Sequence, residues 1–560
     1  MTKIINLLFI LCITAYAVNA QEDNPVFKAA EQELTRSFKE LSTQEMPPYF
    51  ISYTITDKKA TNISAGNGLI DVCRVQDSRI FDLDLRTGNY LFDNSHIIRG
   101  NDGSMAYMQY AELPMTNDIA ALRNHIWIQT DRAYKAAIER YEKARSNKAV
   151  KVAEEDSSAD FSKEKASTYF GEVKQLSIDT AAWAKRLRKL SARFNAYPDI
   201  YNSSLSLNGN LEHRIYINTE GSKISTYATG VRIMISANAK AEDGMTLPLF
   251  KDWFAYDVSG LPQDAEIEKA IDDMVKLLEA LKAAPLATTY SGPCILTGEA
   301  AGVFFHEIFG HRVEGHRQKD PNSAQTFKQS IGQKILPDFL NVYFDPTKKS
   351  LAGHDLHGYY QYDEEGILGQ KVTTVENGKF IGFLMNRCPI DGFPVSNGHG
   401  RKAPGYGVVT RQSNLIVEAT KTIPVAKLRD SLRNEARRQG KEYGLIFEQV
   451  SGGFTFTGRQ VPNSFNVTPL VVYKVYVDGR PDELVRGVDL IGTPLSTFAN
   501  VIAAGDDYGV FNGVCGAESG PVPVSASSPS LLVSKIEVQK KMKSQAKLPL
   551  LPPPSVGKNP

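Results

Sequence analysis

The stretch from Ala300 to His316, A-A-G-V-F-F-H-E-I-F-G-H-R-V-E-G-H, constrains the fold of this 560-residue chain more than any other. Its apolar run reads as a buried helix, and three of the nine histidines sit at or beyond its end. His306 is followed directly by Glu307, and His311 and His316 come at intervals of five. The familiar zinc-helix spacing, His-Glu-x-x-His, sets two imidazoles about 40° apart on one helical face. Five residues on an ideal helix would splay them by roughly 140°, too far for one ion. The spacing therefore predicts a widened π-type turn or a broken turn between His306 and His311, with Gly310 tolerating the distortion. Neutral imidazole nitrogens would then ligate a metal, and Glu307 would face the open coordination position and take a proton from water.

Further stretches point the same way. G-E-A-A-G-V-F-F-H-E-I-F-G-H-R-V-E-G-H (298 to 316) is followed by Y-D-E-E-G (362 to 366) and S-N-G-H-G-R-K (396 to 402). V-R-G-V-D-L-I-G-T-P (485 to 494) and G-V-C-G-A-E-S-G-P-V-P-V (513 to 524) come later. In that order, across roughly half the chain, they resemble the TldD/PmbA family of metallopeptidases, also known as modulators of DNA gyrase. The resemblance is to the TldD-like, motif-bearing type. It implies one Zn2+ per chain, held by His306, His311 and Cys515. It also implies a dimer that encloses its site and takes unfolded peptides, either a homodimer or a heterodimer with a PmbA-like partner.

From the residues alone, His316 competes with Cys515 as third ligand. The glycines around Cys515 predict a tight, irregular loop reaching back toward a metal. A site of two histidines and one cysteine leaves a fourth position for water or a substrate carbonyl, as catalytic zinc requires.

Met1 to Ala20 has one lysine, an uncharged apolar run from Ile4 to Ala17 and a small-x-small end at Val18-Asn19-Ala20. It reads as a secretory signal peptide, so the expected location is exported, most simply periplasmic. No later stretch is long enough for a membrane span. That location separates the chain from any role with gyrase. Nucleic-acid binding is also excluded on charge, because the formal net charge is only +1. Cys73, Cys294, Cys388 and Cys515 remain after processing, too few for a disulfide scaffold, and a zinc-held thiolate would be protected from pairing.

Periodicity predicts an α+β fold: an N-terminal mixed α/β domain with a helical hairpin insertion, then a strand-rich C-terminal metallopeptidase domain. The boundaries are 21–285 for the first, with the hairpin at 117–194, and 286–545 for the second, followed by a proline-rich tail at 546–560. Helices are predicted from Asn24 to Leu41, Asp264 to Ala284 and Ala426 to Gln439. Strands are predicted at 49–56, 67–75, 78–85, 202–208, 212–218 and 222–237, with a hairpin at 372–385 turning on Asn377-Gly378. The polar segment from Glu154 to Lys165 reads as an exposed loop.

His399 and Arg401, in a glycine-rich basic segment, are candidates for substrate binding, with Arg401 meeting a carboxylate. His354 and His357 form at most a second metal half-site. Two other function classes fit the same residues. One is a chaperone-like peptide-binding subunit whose metal is structural; the other is half of a heterodimeric protease.

Overall fold

The structure is a computed structural model that describes residues 23–98, 110–149, 156–455, 457–459, 465–492 and 498–541. The expected signal peptide and proline-rich tail lie outside the described residues. Helix α1 (Pro25–Leu41) begins where the Asn24 side chain accepts from the Val26 N–H at 2.8 Å, and it buries Phe27 and Leu34.

Strands β1 (Pro48–Gly66) and β2 (Leu69–Asn89) then form one long hairpin rather than the three short strands that alternation predicts. The polar residues Asp57 to Lys59 do not end the ladder, because backbone pairing continues through them and Asp57 meets Arg79 in a two-pronged ion pair at 2.5 and 2.8 Å. The turn is Asn67-Gly68, both in the left-handed region, which is the signature of a tight hairpin lying unread in the sequence.

Two helices follow, α2 (Ile119–Ala149) and α3 (Thr180–Ser191), and they do not make the expected hairpin. Leu122, Ile126, Ala133 and Ala137 of α2 share a core with α1 and β2, whereas Leu187 and Leu190 of α3 share one with the next strands and the next long helix. Each apolar stripe finds the sheet instead of the other helix.

The described part of the predicted exposed loop, 156–165, is only partly exposed: Asp156, Asp160, Phe161 and Ser162 are buried, whereas Ser157, Lys163 and Lys165 face out. It straps the N-terminal sheet to the second half of the chain. Lys319 Nζ donates to the Ser158 and Ala159 carbonyls, and the Arg387 guanidinium lies 3.9 Å from the centre of the Phe161 ring. Polar residues can be buried here because cations from elsewhere in the chain satisfy their oxygens.

Strands β3 (Ile200–Asn218), β4 (Lys223–Lys240) and β5 (Thr246–Ala255) complete the main part of the eight-stranded sheet, in the order β2-β1-β3-β4, with β5 on β4. Helix α4 (Asp264–Ala283) covers β4 and β5 with an apolar stripe of Ile267, Ile271, Met274, Leu278 and Leu281. Among the described residues, no helix is long and apolar enough to cross a membrane.

The second half starts with β6 (Tyr290–Leu296), α5 (Gly298–Ile308), β7 (Leu340–Phe344), β8 (Val372–Glu376) and β9 (Asn414–Ala419). It continues with α6 (Val425–Arg438), β10 (Tyr443–Thr455), β11 (Phe465–Tyr476), β12 (Val488–Gly492), β13 (Gly509–Ala517), β14 (Gly520–Ser528) and β15 (Leu531–Lys540). The hairpin after β8 turns on Asn377-Gly378, as predicted.

Strands β10-β6-β15-β12-β11 pair in sequence, and β11 pairs back onto β10, so the ring closes into a five-stranded barrel. A separate sheet runs β8-β7-β9-β14-β13. Helix α5 packs between the two, against β10 on one side and β13, β14 and β9 on the other. It is buried almost all round, including His306 and Glu307 at its end, as a predominantly apolar helix must be. Gly298 and Gly302 allow the close approach: a Cβ on either would overlap backbone of β13 or β14. The fold is α+β.

Candidate metal centre

Helix α5 stops at Ile308. Phe309 caps it with its N–H on the Phe305 carbonyl, and a single 3-10 turn follows from Gly310 to Arg312. The five-residue spacing is therefore accommodated by breaking the helix, not by widening it into a π-turn. Gly310 has a different reason from the one its sequence position suggests. A Cβ there would overlap the side-chain amide of Gln412, whose Nε2 donates to the His306 carbonyl at 3.2 Å. The glycine makes room for a clamp on the helix end.

The break brings the rings of His306 and His311 to 5.0 Å between centroids, at 75° to one another. Cys515 arrives from β13, not from an irregular loop: it sits opposite Val522 of β14 in a regular antiparallel ladder. Its Sγ is 3.3 Å from His311 Nε2.

One ligand atom from each of His306, His311 and Cys515 lies within 4.8 Å of the others, and all three residues are buried. For tetrahedral zinc, metal–nitrogen bonds of about 2.0 Å and metal–sulfur bonds of about 2.3 Å set such atoms roughly 3.3–3.6 Å apart. A small adjustment of side chains suffices.

Two observations test the fit. His306 Nδ1 is buried without a hydrogen-bond partner among the described residues, a cost that an ion or a water would remove. Burial alone would push the Cys515 thiol up, yet the imidazoles of His311 and His306 hold it well below its usual range, as a thiolate. Conversely, burial would lower His311, but the charges of Cys515 and Glu314 carry it up to about 10. Two buried imidazoles and a thiolate, converging with His306 Nδ1 left unpartnered among the described residues, match the donor set of a borderline-soft divalent cation.

Glu307, next to His306 in the last turn of α5, is also largely buried. His316 is not in the cluster: it pairs with Glu518 at 2.7 Å. The structure thus gathers Cys515, and not His316, with His306 and His311. His399 and Arg401 do not face an open site. His399 is fully buried, with Nε2 on Ser413 Oγ at 3.1 Å and Nδ1 3.2 Å from the Asn397 carbonyl. Arg401 donates to the Gln412 and Pro523 carbonyls at 2.8 and 2.7 Å. Both brace the layer behind the cluster, and the expectation that they contact substrate is corrected accordingly.

His357 is equally committed, with Nδ1 on the Gly513 carbonyl and against Arg232, while His354 is exposed, so the two form no half-site. All four described cysteines are unpaired. Sequence reasoning missed Glu314, Arg317, Arg411 and Glu518, which form the charged layer around the cluster. Glu314 and Glu518 stand inside the matching stretches, but nothing local marks Arg411. A cavity of about 960 Å3 lies alongside, with His316, Arg317 and Glu518 in its wall.

An α+β protein with a buried His/His/Cys centre at a broken helix end belongs among candidate metalloenzymes. Residues 289–540 match the PmbA/TldA metallopeptidase C-terminal domain. A metalloprotease of Methanothermobacter thermautotrophicus is 27% identical over 326 residues, which span 57% of this chain and 65% of that protein. A zinc metalloprotease TldD homolog of Saccharolobus solfataricus is 22% identical over 358 residues, 63% of this chain and 74% of that one. In fold, TldE from Thermococcus kodakarensis superposes with a TM-score of 0.60 at 13% identity, covering 91% of this chain and all of that one. Residues 289–540 thus carry the C-terminal domain of the PmbA/TldA metallopeptidase family, and the relatives named above match more than half of the chain.

Proposed function

We propose that this chain is a zinc-dependent peptidase of the TldD type that hydrolyses peptide bonds in unfolded peptides. The carrying observation is the convergence of His306, His311 and Cys515 beside Glu307. One zinc ion per chain, when bound there, supplies Lewis acidity that activates water and polarises a carbonyl. Glu307 accepts the proton of the attacking water and returns it to the leaving amine nitrogen. His306 and His311 contribute neutral nitrogens and Cys515 a thiolate, leaving room for substrate in a fourth position.

The peptide lies extended, recognised mainly through its backbone, which makes the reaction tolerant of sequence. The adjoining cavity, with its near-balanced mix of acids and bases, suits an extended chain of no fixed charge. The protein acts as a dimer, with a second copy or with a PmbA-like partner, a reading supported by the TldE-like fold. It works outside the cytoplasm, a reading supported by the apolar run from Ile4 to Ala17 and the small-residue site at Ala20.

The test is metal analysis of the purified protein beside a Cys515→Ser variant, with hydrolysis of an unstructured peptide followed in both. The wild type should hold close to one zinc per chain and turn over, and the variant should lose most of both. Full zinc occupancy in the variant would reject Cys515 as a ligand. A zinc-loaded wild type inert toward peptides, alone and with a PmbA-like partner, would reject the peptidase.

A further inference from the structure

Glu314 is fully buried, three residues beyond His311, and its carboxylate faces the ring nitrogen that points away from Cys515. His311 Nδ1 is 3.3 Å from Glu314, while Nε2 on the opposite side of the ring is 3.3 Å from the sulfur. The carboxylate is itself anchored. Arg317 Nε donates to Oε2 at 2.8 Å, and Arg411 Nε stands 3.6 Å from Oε1. Arg411 is fully buried too, and its Nη2 donates to the Cys515 carbonyl at 2.6 Å while Nη1 donates to Ser519 and Gly520. Arg317 also reaches Glu518, which holds His316.

We infer that Glu314 is the positioning residue of the centre: it takes the Nδ1 proton of His311 in a hydrogen bond, so that Nε2 carries the lone pair and points at the metal. This rests on the metal reading above. The physical reason is tautomer selection. A neutral imidazole has one donor and one acceptor nitrogen, and which is which follows from the partner of the donor. A carboxylate behind a ligating histidine fixes the ring and raises its basicity. A buried carboxylate that accepts from Arg317 and has the Arg411 cation 3.6 Å away is held in place, so the orientation of His311 is set before any ion arrives. Arg411 ties the same carboxylate to the strand that carries Cys515. One residue thus couples the two ligands that come from distant parts of the chain.

The experiment compares full-length wild type with Glu314→Gln and Glu314→Asp. Zinc affinity is read by competition with a chromogenic chelator, and the visible spectrum is read after loading with Co2+. Wild type should bind stoichiometrically. Glu314→Gln, which keeps the shape but loses the charge, should weaken zinc about 10–100-fold and alter the Co2+ spectrum, with Glu314→Asp intermediate. Because the glutamine leaves two guanidinium groups under-paired, Glu314→Asp is the measurement that counts if Glu314→Gln does not fold. Zinc affinity within twofold of wild type in every variant that folds overturns the inference. A wild type that binds no zinc overturns the metal reading as well.

Discussion

Two buried histidine neighbourhoods, a few residues apart in character, face opposite fates. At the broken helix end, His306 and His311 converge on a thiolate, and His306 Nδ1 has no protein partner among the described residues. In the segment behind it, His399 is just as deeply buried, but both of its nitrogens are engaged by Ser413 and Asn397, and burial with the nearby charge of Arg401 pushes it down to about 3. Burial of an imidazole is therefore not what marks a metal ligand. What sets the first neighbourhood apart is convergence: ligand atoms of His306, His311 and Cys515 lie within 4.8 Å of one another, whereas the two nitrogens of His399 face oxygens of Ser413 and Asn397. Sequence composition makes the two segments look alike, each pairing histidine with glycine and arginine. Only the accounting of partners separates them.

The comparison can be broken most forcefully at Glu307. Glu307→Gln should cut peptide turnover by about 10²–10⁴-fold while zinc content stays at the wild-type level. Turnover that survives the change would demote the site to a structural metal.

A smaller effect is expected at the clamp between the two neighbourhoods. Gly310→Ala forces a methyl group into the Gln412 amide and should cost roughly 1–3 kcal/mol in urea unfolding of the zinc-free protein. An unchanged midpoint and slope would mean that the Gln412 contact with the helix end is loose.

The gentlest test concerns pH at His399. Its folded value is depressed from 6.5 to about 3, so on acidification the unfolded chain takes up the proton first. The associated stability is complete above pH 6.5 and is lost as the pH falls toward 3. Relative to neutrality this amounts to about 2 kcal/mol at pH 5. His399→Gln should shrink the loss between pH 7 and 5 by that amount and leave zinc binding alone. A pH dependence identical to wild type would show that His399 already ionises in place, contrary to its enclosed position.

Much of the fold could be read in advance where contacts are local. Helix α4 and its stripe, α1 with its Asn24 cap, and the turn at Asn377-Gly378 follow from periodicity and capping chemistry that act over a few residues. Misreadings arose where distant groups decide. Asp57 to Lys59 stay in a strand because Arg79 answers Asp57 across the ladder. Polar Asp156, Asp160 and Ser162 are buried because Lys319 and Arg387 reach their segment. The helices α2 and α3 separate because the sheet offers each a better apolar surface than the other does.

The residues themselves determined the chemistry on offer: an apolar helix ending in His306 and Glu307, a second imidazole five positions on, and a cysteine some two hundred residues later. A spacing incompatible with an unbroken helix followed from covalent geometry alone. Tertiary structure decided the rest: that the helix breaks instead of widening, that Cys515 and not His316 completes the triangle, and that His399 and Arg401 are braces. The reason is that a ligand set is a coincidence of three positions in space. The elements meeting there, α5 and β13, are held together by packing against β14 and by Arg411, contacts that no local stretch of sequence encodes.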